Sequence, residues 1–453
     1  MANTLVESFR IKSTRKKIFF TIGILIISRI GAMLPIPGIN PAAVLNYFNS
    51  NSNSFTEYLN FFSGGAFANF SIFMLGVMPY ISTQIILQLL MVVIPSLKKL
   101  AEDPQGSKKI QQYTRYGSVV VCALQGAAAS VYARGIPGAL AVSSGVFIPV
   151  AIISVTAGSM LLVWLGEKIT QYGIGNGISL LIFAGIVARI PTAIYTMIQG
   201  IGNHTINPVS LIVVVVMFFF VVALVIFEEK GQRKIPVVYS SRQVGNRLYR
   251  GQNTFFPVKI NPSGVIPVIF ASTLLSFPLQ LGYNSNIKWL QAVANFLNPQ
   301  RAPYLIIYTL LILGFAYFYT SLVLRPSDIA ENIRANGGTI PGIGSGFKKD
   351  AKGNVVINKE TGKPVTVLED YLRKVINRVA FSGAIFLAFI ALIPTLIQLA
   401  FNLPSSVAMM FGGTSLIIMV GVDLETVNQL ETELGEHKIS KDYRPKKRKT
   451  NKI

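Results

Sequence analysis

The sequence has little charge for its length. Only 13% of its 453 residues are Asp, Glu, Lys or Arg, and 51% are hydrophobic. Soluble globular proteins carry about 25% charged residues. This composition excludes an ordinary soluble domain and predicts a chain that crosses a membrane several times.

Groups that commonly carry chemistry are also scarce. The single cysteine, Cys122, excludes a disulfide framework, and the two histidines, His204 and His437, are too few to build a metal site together. The sequence has no GxxxxGK[ST] loop, no HExxH motif and no paired carboxylates within an apolar run. Two glycine-rich stretches, Gly173–Ser179 and Pro341–Gly346, follow no strand of a βαβ unit, so we interpret them as turns. The sequence therefore predicts no enzyme, no metal and no cofactor.

Long apolar runs dominate what is present. A helix needs about 20 mostly apolar residues to cross a bilayer. The sequence predicts ten crossings, at roughly 18–37, 74–96, 116–133, 149–165, 177–198, 209–227, 264–281, 304–324, 378–400 and 408–428. The segment Asn60–Ser71 is too short to span and is interrupted by Gly64 and Gly65, so we expect it to be re-entrant.

Positive charge is distributed unevenly among the connections. Of the 41 Lys and Arg residues, 35 fall in the two tails and in the connections after spans 2, 4, 6 and 8. The opposite connections hold four, Arg134, Arg189, Lys288 and Arg301. Because Lys and Arg accumulate on the cytosolic side of membrane proteins, this pattern predicts that both termini are cytosolic.

The ten spans divide into two sets of five at an uncharged outer loop. A duplicated half with an odd number of spans must be inverted relative to its partner, so the count suggests an inverted repeat. We divide the chain into an N-terminal half (1–199), an external hinge loop (200–208), a C-terminal half (209–428) with long inner loops at 228–262 and 325–373, and a basic tail (429–453). Within the second inner loop, Val355–Val367 is predicted to form a small hairpin.

One charge, Arg29, interrupts the first apolar run. A charge at that depth must face protein or water. Arg29 either stabilises carbonyl groups freed near Pro35 and Pro37 or lines a pore.

Several blocks of sequence resemble the bacterial SecY family. They are RIGAMLPIPGI (Arg29–Ile39), FFSGGAFANFSIFMLGVMPYISTQIILQLL (Phe61–Leu90), QQYTRYG (Gln111–Gly117), WLGEKITQYGIGNGIS (Trp164–Ser179), VKINPSGVIPVIFAS (Val258–Ser272) and FGGTSLII (Phe411–Ile418). The resemblance covers nearly the whole chain, in order and at matching spacing. It implies an all-α polytopic membrane protein with ten transmembrane helices in two inverted five-helix halves and a re-entrant plug helix.

The resemblance also implies roles for particular residues. A waist ring of aliphatic side chains would comprise Val77, Ile81, Ile178, Ile182, Ile269 and Ile418. A plug over about 60–71 would include Asn60, Phe61, Phe62, Ser63, Gly64, Gly65, Phe67 and Phe70. Spans 2 and 7 would form a lateral gate, with a polar seam of Ser82, Gln84, Gln88, Asn261, Ser272 and Thr273. Taken without the resemblance, each ring residue is better explained by ordinary packing. Each polar gate residue is also explained by hydrogen bonds between helices.

The function implied is a protein-conducting channel of the cytoplasmic membrane. It would move unfolded secretory polypeptides across the membrane and release membrane segments sideways into the lipid bilayer. Implied partners are the SecE and SecG subunits, the SecA motor, the ribosome and the signal sequence of the translocating polypeptide. Candidate cytosolic contacts are Arg233, Lys234, Arg242, Arg247 and Arg250. At Gly344 the family usually has an arginine, and extra residues follow at about 347–367, which puts the motor contact of this loop in question.

Two other functions remain open on the residues alone. Inverted halves with broken helices also suit a secondary small-solute transporter, although the spans contain few ion-coupling residues. A membrane insertase without a pore is the other alternative.

Overall fold

A computed structural model describes residues 9, 11–50, 60, 63–204, 208–239, 242–244, 247–249, 253–283, 287–298, 301–344, 346–349, 355–357, 364–401 and 413–442. The chain is mainly helical. Its helices are α1 (Lys12–Gly31), α2 (Pro41–Ser50), α3 (Met78–Val93), α4 (Pro95–Glu102), α5 (Pro104–Arg134), α6 (Ser144–Tyr172), α7 (Gly177–Gly202), α8 (Pro208–Lys230), α9 (Ile266–Tyr283), α10 (Lys288–Phe296), α11 (Ala302–Val323), α12 (Pro326–Ala335), α13 (Val367–Phe401) and α14 (Gly413–Asp442).

Each of the predicted spans coincides with a helix, namely α1, α3, α5, α6, α7, α8, α9, α11, α13 and α14. Within the described residues, six helices are long and apolar enough to cross a membrane. A seventh crossing is available if α3 and α4, which meet at a bend of 108°, form one broken span. The chain is thus a multi-pass membrane protein, and the exact number of ten crossings stays a prediction.

Proline residues mark where several helices begin. Pro95, Pro104 and Pro326 occupy the first turns of α4, α5 and α12, where a missing N–H costs nothing and the fixed φ suits a helix. The side chain of Asp103 also caps α5 by accepting a hydrogen bond from the Gly106 amide at 2.9 Å. The bend between α3 and α4 lies at Ile94, whose extended backbone precedes Pro95.

Most contacts between helices lie within the N-terminal or within the C-terminal part of the chain. In the N-terminal part α5 packs on α6 and α3, and in the C-terminal part α11 packs on α13 and α9. Contacts between the two parts are made by α7 with α14 and by α3 with α9. This arrangement brings residues from both predicted halves to one central hydrophobic cluster.

The inner loops fold into a small sheet that the sequence analysis did not predict. Strand β1 (Gln232–Tyr239) pairs antiparallel with β4 (Asn253–Lys259) and with β5 (Gly338–Thr339), while β2 (Arg242–Val244) pairs with β3 (Arg247–Tyr249). Ile235 and Val237 alternate inward along β1 and pack against α12 and the start of α13. The sheet therefore joins the two inner loops into one unit.

The residues that follow β5 form a second, smaller β structure. Ile357 pairs antiparallel with Pro364, as predicted for a hairpin, although its tip at 358–363 lies outside the described residues. Lys348 also joins the pairing, because its amide donates to the Val365 carbonyl and its carbonyl accepts from the Val356 amide. An ion pair of 2.6 Å between Lys348 and Asp370 connects this insertion to α13.

Three local expectations need correction. Helix α1 ends at Gly31 rather than near residue 37, because residues 34–36 pair instead with residues 70–72. Arg189, which we assigned to an outer connection, lies inside α7. Residues 63–70 form consecutive turns rather than the expected re-entrant helix, because Gly64, Gly65 and Phe70 adopt positive φ angles.

Candidate channel site

The six residues predicted to form the waist ring share one hydrophobic cluster. Four of them, Val77, Ile81, Ile182 and Ile418, are at most 9% exposed, and Ile178 and Ile269 pack against the buried members. They come from four elements, α3 with its N-cap, α7, α9 and α14. Two of these helices belong to each predicted half, so the cluster lies where the halves meet.

The spacing of the ring residues follows from helix geometry. Val77 is the N-cap of α3, and its carbonyl accepts the amide of Ile81 at 3.2 Å, so their side chains share a face. Ile178 and Ile182 are related in the same way in α7, which begins after the side chain of Asn176 accepts the amides of the first turn. An apolar constriction in a pore can exclude water and ions by dewetting, and aliphatic side chains clustered from facing helices are what the predicted ring requires.

A small cavity lies between the ring and the plug segment, which we define as residues 60–71. Its volume of about 20 Å³ is lined by Val77 and Ile182 of the ring, by Ser63 of the plug segment, and by Arg29 and Gly185. A space of this size holds about one water molecule. The ring and the plug segment are therefore adjacent, with a small and mainly apolar pocket between them that also contains Arg29.

Several polar groups of the plug segment are paired within the segment itself. The side-chain oxygen of Asn60 accepts the Ala68 amide at 2.9 Å, and the Asn60 carbonyl accepts the Gly65 amide at 2.8 Å. The hydroxyl of Ser63 accepts the Phe67 amide at 3.0 Å.

Other groups of the plug segment bond outside it. The Phe70 carbonyl accepts the Ile36 amide at 3.0 Å, and the Gly64 carbonyl accepts from Arg29. Movement of the segment as a unit therefore keeps its internal hydrogen bonds and breaks these outer ones.

Aromatic residues hold the plug segment against the N-terminal half. Phe67 and Phe70 are 4% and 0% exposed, and the Phe67 ring meets Phe48 of α2 edge-on at 5.6 Å. Burial of one such side chain contributes about 1.5–3 kcal/mol. The predicted plug residues Phe61 and Phe62 lie outside the described residues.

Arg29 reaches the plug segment rather than the carbonyl groups near Pro35 and Pro37. Its Nη1 atom donates to the Gly64 carbonyl oxygen at 3.3 Å, across 35 residues of sequence. Arg29 also lines the cavity beside the ring. Its described hydrogen bond is thus not to a carbonyl group near Pro35 or Pro37. That Arg29 lines a pore stays a prediction.

The two helices of the predicted lateral gate, α3 and α9, pack directly against each other. Ser82 and Ser272 are buried, and each hydroxyl donates to a carbonyl of its own helix, that of Met78 and of Ile269 respectively. These two hydroxyls are thus satisfied without a partner on the facing helix, which suits an interface that has to separate.

The other predicted gate residues have different surroundings. Gln84 is exposed, while Gln88 and Thr273 are half-buried. Asn261 is buried in the turn before α9, where its amide nitrogen donates to the Gly264 carbonyl at 3.1 Å. Asn261 therefore shapes the entry to α9 and is not brought to the face shared with α3 by any described contact.

The predicted basic contacts lie on the β sheet. Arg233 and Lys234 are exposed on β1, opposite Val258 and Pro257 of β4. Arg242 and Arg247 belong to β2 and β3, near the tip of the same hairpin, and Arg250 lies outside the described residues. Gly344, at the position usually held by arginine, is exposed after the turn at Gly342.

Hydrogen bonds also connect the two halves on the side of the sheet. The amide of Gly175, in the turn between α6 and α7, donates to the side chain of Gln429 in α14 at 2.6 Å. Lys17 of α1 forms an ion pair with Glu433, which also lies in α14. The glycine-rich stretch Gly173–Ser179 therefore contains the predicted turn, and this turn makes a structural contact with α14. Sequence reasoning gave no indication of the partner, Gln429.

Residues suited to metal binding do not converge in the described part of the chain. No group of three His, Cys, Asp or Glu side chains there could hold a metal ion. The site is therefore described by its apolar ring, its turn-rich plug segment and its separable helix pair.

Comparison with known proteins places these features in a family. The SecY family model matches residues 71–427. The protein translocase subunit SecY of Borreliella burgdorferi is 43% identical over 439 residues, covering 96% of each chain. The solved structure titled "The structure of a protein conducting channel" shares the fold with a TM-score of 0.65 and 18% identity, covering 95% of each chain. Sec61 in the canine ribosome-channel complex from the endoplasmic reticulum has a TM-score of 0.62, 17% identity and the same coverage. The chain belongs to the SecY family.

Proposed function

We propose that this member of the SecY family is the channel subunit of a protein translocase, which moves unfolded polypeptides across the cytoplasmic membrane. The observation that carries the proposal is the convergence of Val77, Ile81, Ile178, Ile182, Ile269 and Ile418, from four helices of both halves, in one hydrophobic cluster. Its relative in Borreliella burgdorferi is named as a protein translocase subunit. The chain acts as a passive conduit and is not an enzyme.

The ring seals the closed channel. Aliphatic side chains make no directional bonds, so they exclude ions while closed and separate around an extended chain at low cost. When no polypeptide is present, the plug segment occupies the space next to the ring, as its shared cavity with Val77 and Ile182 supports.

Sideways release of membrane segments uses the boundary between α3 and α9. Their packing is direct, and Ser82 and Ser272 bond within their own helices. Side-chain hydrogen bonds between helices contribute on average about 0.6 kcal/mol in membranes. Parting these helices therefore breaks few strong contacts, and the two halves pivot about the loop at 200–208.

The orientation places both termini and the β sheet in the cytosol, as the positive charge in the connections supports. There the exposed Arg233 and Lys234, together with Arg242, Arg247 and Arg250, attract the ribosome or the SecA motor. The structural neighbour from the canine endoplasmic reticulum was solved in a ribosome-channel complex. SecE and SecG complete the membrane assembly.

Transport by purified components tests the proposal. Vesicles containing this chain with SecE and SecG, supplied with SecA and ATP, should protect a secretory precursor from external protease. Cysteines at positions 81 and 269, in a Cys122→Ala background, should cross-link to a precursor stalled during transport. A matched cysteine at Phe227, which is 74% exposed at the far end of α8, should not cross-link.

The outcomes separate the alternatives. Precursor that stays accessible to protease under all conditions contradicts the proposal. Solute uptake by the chain alone favours the secondary transporter, and insertion of membrane segments without cross-links at 81 and 269 favours an insertase without a pore.

A further inference from the structure

The outer part of the site contains a cation whose position the ring does not explain. Arg29 lies in the last turn of α1, and its Nη1 atom donates to the Gly64 carbonyl oxygen at 3.3 Å. Its Nε atom is buried and has no hydrogen-bond partner among the described residues. A cation at membrane depth is costly unless polar groups or water surround it, so the guanidinium depends on the plug segment for part of its stabilisation.

The plug segment approaches this arginine unusually closely. A Cβ atom built on Gly64 would lie 2.6 Å from Nη1 of Arg29 and 2.7 Å from the Cα atom of Gly185 in α7. Gly64 also has a φ of +64°, which glycine adopts without strain. The backbone carbonyl of Gly64 therefore reaches Arg29 only because two glycines meet at this point.

A second arginine flanks the same turn. A Cβ atom built on Gly65 would lie 3.3 Å from Nη1 of Arg189 in α7. Arg29 thus bonds to Gly64, and Arg189 of α7 lies beside Gly65, the next residue of the plug segment. We call these surroundings, formed by α1 and α7, the seat of the plug segment.

We propose that Arg29 is a positioning residue that holds the plug segment in its closed seat, with Arg189 as a second support beside it. This inference rests on the proposed role of residues 60–71 as a plug. A hydrogen bond from a charged donor to a carbonyl contributes more in an enclosed site than in bulk water, and hydration competes with it once a polypeptide wets the pore. The contact between Arg29 and the plug segment is therefore stronger when the channel is idle and weaker when a polypeptide occupies it.

A purely structural role for Arg29 makes a different prediction. An arginine near the C-terminus of a helix interacts favourably with the helix dipole. Its loss would then lower the stability of the whole protein and leave the plug segment as closed as before. Plug release and global unfolding must therefore be measured separately.

The chain offers a reporter for each event. Ser63 is 7% exposed in the seated plug segment, so Ser63→Cys in a Cys122→Ala background reports plug release through labelling with a membrane-impermeable maleimide. The native Cys122 is 1% exposed in α5, so its labelling during heating reports global unfolding. Both are measured in vesicles containing the SecE and SecG subunits.

We expect Arg29→Gln to raise the labelling rate of Cys at 63 about tenfold, since a hydrogen bond to a charged group is lost. In a separate variant that keeps Ser63 and Cys122, Arg29→Gln should change the labelling rate of Cys122 little. The matched control is Ser28→Ala, which removes a hydroxyl that lines the same cavity and donates to the Leu25 carbonyl. The control should label as slowly as the unsubstituted chain. Arg29→Lys should label at an intermediate rate, because lysine keeps the charge without the planar fork.

The possible failures are distinguishable. If Cys at 63 is not labelled even during precursor transport in the chain with native Arg29, the plug role fails and the inference fails with it. If transport exposes Cys at 63 but Arg29→Gln labels no faster than Ser28→Ala, the inference alone is overturned. Should Arg29→Gln expose Cys122 at low temperature, Arg29→Lys decides in its place, and an unchanged labelling rate at 63 again overturns the inference.

Discussion

Replacement of Ile418 by asparagine tests the waist ring directly. Ile418 is 3% exposed in α14 and belongs to the cluster that contains the other ring residues. The substitution removes about 1.5–3 kcal/mol of apolar burial and places an amide in an apolar environment at a cost of about 1–3 kcal/mol. The closed state is therefore destabilised by about 2.5–6 kcal/mol, whereas an open, wet waist hydrates the amide.

That difference changes the closed-to-open ratio by a large factor. Each 1.4 kcal/mol corresponds to about a factor of ten, so Ile418→Asn should raise the open fraction by about sixtyfold or more. The assay is ion conductance of the complex in planar bilayers without precursor. Export of signal-defective precursors should rise in parallel.

The adjacent residue supplies a matched control. Ile417 is 0% exposed and belongs to the other large cluster, in the C-terminal half. Ile417→Asn makes the same chemical change in the same helix, so it should lower the melting temperature without a conductance increase. Equal conductance in the two variants, or a tight Ile418→Asn channel, would refute the placement of Ile418 in the ring.

Three further variants probe other parts of the site. Gly64→Ala should promote plug release and export of signal-defective precursors, because a side chain at φ +64° is strained and contacts its seat. Reversal of Arg233 and Lys234 to glutamate should weaken ribosome binding in a salt-dependent way, measured by cosedimentation, with a change in stability under about 0.5 kcal/mol. Gln429→Leu leaves the Gly175 amide without its partner and should cost about 1–3 kcal/mol, seen as a lower melting temperature.

Each of these substitutions has a control in the chain. Gly76 has a φ of +58° but open space around it, so Gly76→Ala carries the strain without the contact and should release the plug less. Lys288→Glu, on the predicted outer side, should leave ribosome binding unchanged. Asn428→Leu changes the exposed neighbour of Gln429 and should leave the melting temperature unchanged. If a control variant gives the same measured change as its test variant, the argument for that test variant is contradicted.

Hydropathy predicted the helices well because membrane crossing requires long apolar runs. It did not predict where they end, since ends depend on contacts between distant segments. The expected extension of α1 to residue 37 is wrong because the Ile36 amide donates to the Phe70 carbonyl at 3.0 Å. No pattern within residues 29–39 specifies that partner.

The β sheet was missed for a different reason. The charges near Arg233 and Lys234 supported an interpretation of this loop in terms of topology and docking alone. Yet KIPVVY (Lys234–Tyr239) and TFFPVK (Thr254–Lys259) are rich in β-branched and aromatic residues, and Ile235 and Val237 alternate as a half-buried strand requires. A search for period-two patterns between the spans would have found the hairpin.

The plug segment shows the limit of sequence reasoning most clearly. Gly64 and Gly65 signalled a break, but Phe70 adopts a positive φ of 44°, which nothing in its identity indicates. The buried charge of Arg29 was detectable because it interrupts an apolar run, whereas its partner is a backbone carbonyl, and every residue has one. Only the close approach of Gly64 to Gly185 selects that carbonyl. Because a Cβ atom at position 64 would lie 2.6 Å from Nη1 of Arg29 and 2.7 Å from the Cα atom of Gly185, a larger residue there should push the carbonyl away from Arg29.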